Sequence, residues 1–199
     1  VGEHMNGLQM AGIANITASK LNGVQIALCN YATQARGLQI GLVNYYKENM
    51  KGFQLGLVNA NPDTRVQMMV YGGNATPANI GVRFKNQLFY TILGIGSMYQ
   101  GLNDKFSASA SYRAGLSFTL YKGLSISGDL GYQHIEAFDN KDEVIPKRLY
   151  ALQARANLEY QFTRKFGIFA TGGYGLTRFY NKSSNYDKGA IIEAGIVLF

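Results

Sequence analysis

Apolar and polar residues alternate with a period of two along most of the chain, which is the spacing of strands with one apolar and one polar face. The contrast is sharpest from Asn79 onward. Phe106, Ala108, Ala110, Tyr112, Ala114, Leu116, Phe118 and Leu120 share one face, against Ser107, Ser109, Ser111, Arg113, Gly115, Ser117 and Thr119 on the other. Leu124, Ile126, Gly128, Leu130 and Tyr132 stand likewise against Ser125, Ser127, Asp129, Gly131 and Gln133, and Tyr150, Leu152, Ala154, Ala156, Leu158 and Tyr160 against Ala151, Gln153, Arg155, Asn157 and Glu159. Runs of this length exceed the usual strand of a small soluble sandwich. Very tight connectors at Lys85-Asn86, Tyr121-Lys122-Gly123 and Thr163-Arg164-Lys165 alternate with longer ones at 100–105, 136–148 and 181–188. Membrane barrels have this asymmetry, with short periplasmic turns and longer outer loops.

The first third carries a repeat. Gly7-Leu8-Gln9-Met10-Ala11-Gly12-Ile13-Ala14-Asn15 returns as Gly23-Val24-Gln25-Ile26-Ala27-Leu28-Cys29-Asn30, Gly37-Leu38-Gln39-Ile40-Gly41-Leu42-Val43-Asn44 and Gly52-Phe53-Gln54-Leu55-Gly56-Leu57-Val58-Asn59, with a fainter copy from Val66-Gln67-Met68. Either a β-solenoid with one coil per repeat or an antiparallel meander with one strand per repeat produces such a period. The segments between copies are seven, six, seven and six residues long. Equivalent coils give no reason for alternation, whereas successive turns of a meander lie at opposite ends of the strands. The sequence therefore favours an all-β, antiparallel transmembrane β-barrel of about 12 strands, a single unit over 1–199 with repeat strands at 5–70 and long strands at 79–199. An eight-stranded barrel preceded by a short β-solenoid of four repeats is the alternative.

The repeated Gly-Leu-Gln-Ile-Gly-Leu-Val-Asn pattern, the long alternating strands and the terminal Phe199 together resemble the surface-repeat outer-membrane proteins of Gram-negative bacteria, Bacteroidetes types especially. The likeness covers 5–70 by motif and the rest by texture. It implies a bacterial outer-membrane location and a barrel fold, with no settled activity to transfer. Both termini fall on the periplasmic side in the barrel scheme.

Composition adjusts this picture in three places. The chain has 24 Gly, 14 Tyr and 11 Phe with no Trp, a mixture suited to pleated strands, and no run of about 18 apolar residues such as a membrane helix needs. Its net charge of +7 is scattered rather than gathered in a run, which excludes nucleic acid and fits contact with outer-membrane lipid and lipopolysaccharide. Cys29, the single cysteine, excludes an internal disulfide and is expected as a small buried side chain.

The polar parity predicts a lumen lined by Gln9, Gln25, Gln39, Gln54, Arg83, Arg113, Asp129, Gln133, Arg155, Glu159, Arg178 and Glu193. Glu193 is set inward because a carboxylate against lipid is costly, and the direction of Phe199 stays open. Such a row either tunes a narrow channel for small solutes or fills the barrel and holds it shut. Catalysis is poorly supplied: His134 and Ser127 differ in parity, and Gly172-Gly173-Tyr174-Gly175 lies inside a strand pattern rather than before a helix. Asp142-Glu143 lacks the spacing of a calcium site. The sequence thus predicts a non-enzymatic barrel without cofactor or metal: a structural or accessory surface protein that binds another envelope protein, or alternatively a passive channel or a soluble β-repeat adhesin.

Overall fold

The computed structural model describes residues 1–97, 106–138, 148–180 and 185–199. The chain divides into two units, one of Val1–Arg65 with Phe84–Gln87 and one of Val66–Arg83 with Leu88–Phe199, rather than forming one barrel. Both are built of strands.

The first unit is a five-stranded parallel sheet in the order β1 (Gly2–Met10), β2 (Ala14–Ile26), β3 (Cys29–Ile40), β4 (Val43–Leu55) and β5 (Val58–Ala60). Equivalent residues of successive repeats pair directly: Gly7 with Gly23, Gly23 with Gly37, and Gly37 with Gly52. This is a β-solenoid, which corrects the 12-strand meander. The alternating connector lengths have a local cause. Thr17 pairs with Ala32 and Lys20 with Gln34, so the longer copy absorbs its extra residue as a bulge, and the reverse shift follows between Ala32 and Gln34 where β3 meets β4. Each repeat motif also straddles a corner, since the strand breaks at Ala27-Leu28, Gly41-Leu42 and Gly56-Leu57.

A second bend in each coil falls at Gly23, Gly37 and Gly52, with φ of 144°, 136° and 145°. A Cβ on any of the three would stand 1.9–2.0 Å from the carbonyl oxygen of the glycine in the preceding coil. Backbone conformation and coil spacing therefore both require glycine there. The solenoid interior holds Leu21, Ala32 and Ala35 in a small apolar cluster with Met5 and Met50 against it. Cys29 is exposed, contrary to expectation, in the column Ala14, Cys29, Val43 and Val58.

The second unit is a closed barrel of eight strands, β6 (Arg65–Gly73), β7 (Ala78–Lys85), β8 (Phe89–Ser97), β9 (Ser107–Tyr121), β10 (Leu124–Ala137), β11 (Arg148–Gln161), β12 (Phe166–Phe179) and β13 (Asn185–Leu198). The ladder runs antiparallel from β8 through β13 to β6, and β7 closes the ring between β6 and β8. Gly123, with φ of 79°, makes the turn between β9 and β10. Phe162 and Thr163 donate to the Phe166 carbonyl in the turn between β11 and β12. The apolar rows face outward, leaving Leu116, Phe118, Ile126, Leu130, Leu158 and Ile192 exposed.

Gly37→Val is expected to cost at least about 3 kcal/mol, because it combines a strained φ with a backbone clash, whereas Gly2→Ala, whose added Cβ meets nothing within 4 Å, is expected to be neutral. Limited proteolysis of the repeat unit, scored against the intact barrel band, checks the difference.

Candidate functional site: the barrel lumen

Side chains fill the middle of the lumen, and a pocket of about 240 Å³ opens beside Gln153, Thr177 and Ile191. Near one end Met69, Tyr71, Tyr90, Ile92, Phe169 and Val197 form a buried cluster with Phe199 packed against it. At the end that carries the longer connectors, Ile135, Ala137, Leu149 and Ala151 form a second, with Ala75, Phe179 and Tyr186 against it. Between them lies a polar layer. Glu193 points inward and is buried, as its register requires, and Phe199 shares its side of β13, which settles the direction of the terminal ring.

Arg113 is the hub of this layer, 1% exposed. Its Nε and Nη2 donate to the two Asp129 carboxylate oxygens at 2.8 Å each, Nη2 also to Asn157 Oδ1 at 3.1 Å, and Nη1 to Glu193 Oε2 at 3.5 Å. Asp129 further accepts from the Tyr90 hydroxyl and from Asn157 Nδ2, each at 2.8 Å. Arg155 donates to both Glu193 oxygens at 3.2 Å and to Gln153 Oε1 at 2.6 Å. Arg83 forks onto Glu159 at 2.6 and 3.0 Å and donates through Nε to Gln67 Oε1 at 2.6 Å. Gln133 donates to Ser109 at 2.8 Å and accepts from Gln153 at 3.0 Å. Planar forks of this kind suit Arg, and they satisfy carboxylates that would otherwise be costly to bury.

The three guanidinium groups face three carboxylates, so the layer is formally neutral. Glycines on the neighbouring strands make room for it. A Cβ at Gly115 would lie 2.7 Å from Asp129 Cβ, and one at Gly131 would lie 2.9 Å from Arg155 Nη1. The void between Arg83, Tyr90, Arg113, Asn157 and Glu159 amounts to about 10 Å³, barely room for one water. Among the described buried side-chain atoms, Gln67 Nε2 and Arg155 Nη1 have no partner.

Arg83, Arg113, Asp129, Gln133, Arg155, Glu159 and Glu193 thus meet in one lumen. Arg178 does not. It pairs with Tyr150 on the outward parity of β12, opposite to the inward Thr171, Thr177 and Phe179, so uninterrupted alternation along the strand places it outside. Gln9, Gln25, Gln39 and Gln54 face inward too, but inside the solenoid, where they form an amide ladder: Gln25 donates to Gln9 at 2.9 Å, Gln39 to Gln25 at 2.8 Å and Gln54 to Gln39 at 2.9 Å. Asn15, Asn30, Asn44 and Asn59 form a second ladder with links of 3.1, 2.9 and 2.9 Å. Sequence reading missed Tyr90, whose strand Phe89–Ser97 is apolar on both parities; Asn157 and Gln153 were visible on the same row as Arg155.

Outside the lumen, two features of the barrel wall stand out. An outward groove of about 980 Å³ is lined by Val70, Ile80, Ile95, Phe138 and Ile196, among others, and is apolar like the wall around it. At the rim, Arg148 donates to Glu136 at 3.2 Å, Glu136 lies 3.5 Å from His134 Nε2, and His134 Nδ1 lies 2.7 Å from the Tyr180 hydroxyl, which also bonds Tyr132. Burial, with the bond to Tyr132, pushes the Tyr180 phenol up to about 12, so it stays protonated at neutral pH and is a poor nucleophile. Asp142-Glu143 lies outside the described residues. Among the described residues no three His, Cys, Asp or Glu side chains converge as a metal site would need.

No protein-family model matches the chain, and no curated protein matches its sequence. Solved structures similar to it include the N-terminal β-barrel domain of OprF from Pseudomonas aeruginosa (16% identity, 67% of this chain and 93% of that one, TM-score 0.45). Neisserial surface protein A (9% identity, 67% and 92%, TM-score 0.41) and the outer membrane protein Ail of Yersinia pestis (14% identity, 68% and 99%, TM-score 0.41) are similar in the same way.

Arg113→Ala leaves Asp129 buried without its fork and is expected to destabilise the barrel by about 3–5 kcal/mol, whereas Arg113→Met with Asp129→Leu is expected to recover most of the loss. Urea unfolding in detergent, followed by the gel shift between folded and boiled protein, measures both.

Proposed function

We propose that the chain is a bacterial outer-membrane protein whose closed, non-conducting barrel anchors a β-solenoid, and that it serves as a structural or accessory envelope protein which binds a partner and catalyses nothing. The filled lumen carries this reading. A hydrated ion needs a continuous wet path, and the neutral Arg and carboxylate layer leaves about 10 Å³ at its centre. That weighs against a passive channel.

The polarity of the barrel wall supports the membrane. Arg83, Arg113, Asp129, Arg155, Glu159 and Glu193 point inward and are buried, while Phe118, Leu130, Leu158 and Ile192 point outward and are exposed. An apolar wall of that extent suits lipid and disfavours a soluble adhesin. A 14-residue strand such as β10, rising about 3.3 Å per residue and tilted about 40°, climbs about 35 Å, enough for an apolar band of about 25 Å. The rim with Arg148 and Lys188 is where lipopolysaccharide phosphates would lie.

Orientation follows from the turns. The tight turns at Lys122-Gly123 and 162–165 belong on the periplasmic side. β6 starts and β13 ends at that same end, so the chain enters and leaves the barrel on the periplasmic side. The likeness of the repeats to Bacteroidetes surface-repeat proteins supports the same envelope.

Two measurements test this. Purified, folded protein in a planar bilayer is expected to give no conductance steps; stable open steps would overturn the closed barrel. Cys29, exposed and unique in the chain, is expected to resist a membrane-impermeant maleimide in intact cells and to react once the outer membrane is permeabilised. Labelling of intact cells would contradict the periplasmic entry of the chain into the barrel.

A further inference from the structure

One face of the solenoid is apolar on its outside. Beyond the bends at Gly23, Gly37 and Gly52, alternation sends Gln25, Gln39 and Gln54 inward to their ladder and sends their neighbours outward. Val24, Leu38 and Phe53 make one outward column, and Ile26, Ile40 and Leu55 make the next. Phe53 is 77% exposed and Leu55 57%, and at the corner that follows Leu28 and Leu42 are each about half exposed. In all three coils every outward position between bend and corner is apolar. A flat face of this kind has no polar group with which to select a protein surface, and it suits an apolar medium that makes no directional demand.

A second observation lies on the other side of the same bends. Asn22, Arg36 and Lys51 form the column immediately before the glycines, and Lys20, Gln34 and Asn49 form the column before that. Lys20, Gln34, Arg36, Asn49 and Lys51 line a cleft of about 180 Å³ over the buried Ala35. Among the described residues none of these three cations has a carboxylate within 4 Å, and the nearby Glu48 is engaged by Gln34 Nε2 at 2.9 Å. Cations that border an apolar face lie where lipid phosphates lie above acyl chains.

We propose that this face of the solenoid docks on the anionic phospholipid surface of a bilayer, with the columns of Leu38 and Ile40 in the acyl boundary and Lys20, Arg36 and Lys51 on the phosphates. The complementarity is one of position as well as sign, because a single residue, the glycine of each bend, separates the cationic column from the apolar one. The solenoid then binds lipid through its own residues, in addition to the lipid contact of the barrel wall. This inference rests on the membrane reading of the proposed function and deepens it.

Nitroxide labels on Leu42→Cys and Leu55→Cys, each in a Cys29→Ser background, report collisions with oxygen, which concentrates among acyl chains, and with a water-soluble nickel chelate. The full chain is reconstituted in vesicles of phosphatidylglycerol and phosphatidylcholine. The oxygen-to-nickel ratio at both sites is expected to exceed that at the exposed Lys47→Cys by about threefold or more. It is expected to fall to the Lys47 value in phosphatidylcholine alone, and in the combined variant Lys20→Gln, Arg36→Gln and Lys51→Gln, because three cations shift the docked population about a hundredfold. Lys20→Arg with Lys51→Arg keeps the charge and is expected to keep the high ratio. A ratio at 42 and 55 equal to that at 47 in the anionic vesicles overturns the proposal, as does a high ratio that survives loss of the cations. Labels shielded from both reagents already in detergent would show that a second copy or another protein covers the face, which also overturns it. Leu130→Cys on the barrel wall separates the two readings. A lipid-exposed label there, with water-exposed labels at 42 and 55, removes this inference alone, whereas water exposure at Leu130 removes the membrane reading itself.

Discussion

A polar side chain removed from water must find its partners in the protein, and both units of this chain are organised by that requirement. In each, amides or charges point inward and share the interior with small apolar clusters. The solenoid satisfies its interior by translation: Gln25 and Gln39 are fully buried, and each passes its unused donor or acceptor to the same residue one coil away. The barrel cannot repeat itself, so it closes its interior by complementarity, with Arg113 forked onto Asp129 and Arg83 onto Glu159. Remove one member of either arrangement and its neighbour is left buried without a partner, which costs more than the bond itself was worth.

The backbone follows from these interiors. Solenoid coils can stack closely enough for amide links of 2.8–2.9 Å only if the corner has no side chain, which is the role of the glycine column at Gly23, Gly37 and Gly52. In the barrel, Gly115 and Gly131 are the counterpart: they give up side chains so that Asp129 and Arg155 can cross the lumen. Function inherits the consequence. A lumen held by ion pairs, with Ile135 and Leu149 packed toward one end and Tyr71 and Phe169 toward the other, leaves little space at its centre, and the proposed anchoring role rests on that.

The barrel was legible because alternation is its defining property. The row from Phe106 to Leu120 and the row from Tyr150 to Tyr160 face outward as their parity indicates, and Arg113, Asp129, Arg155 and Glu193 face inward. The repeats were misread because a solenoid strand alternates with the same period. Nothing in the parity of Gln39 distinguishes a barrel lumen from a solenoid interior. The alternating connector lengths pointed to a meander, but the extra residue beside Thr17 is a bulge within a coil. Asparagine at the end of every motif was the overlooked sign, since an amide recurring at a fixed period is what a ladder needs. Arg178 is a different case: it has the parity of the exposed Tyr174 and not that of the buried Thr171 and Thr177, so the alternation of β12 itself sets it outside the lumen.

The filled lumen can be examined directly through its arginines. With the protein labelled with ¹⁵N-arginine in detergent micelles, the Nε–H signals of Arg83, Arg113 and Arg155 should exchange with solvent far more slowly than that of the exposed Arg148, because each donates to a buried carboxylate or amide oxygen. Exchange of all four at the rate of free guanidinium would mean that water fills the barrel, and that the neutral plug does not exist.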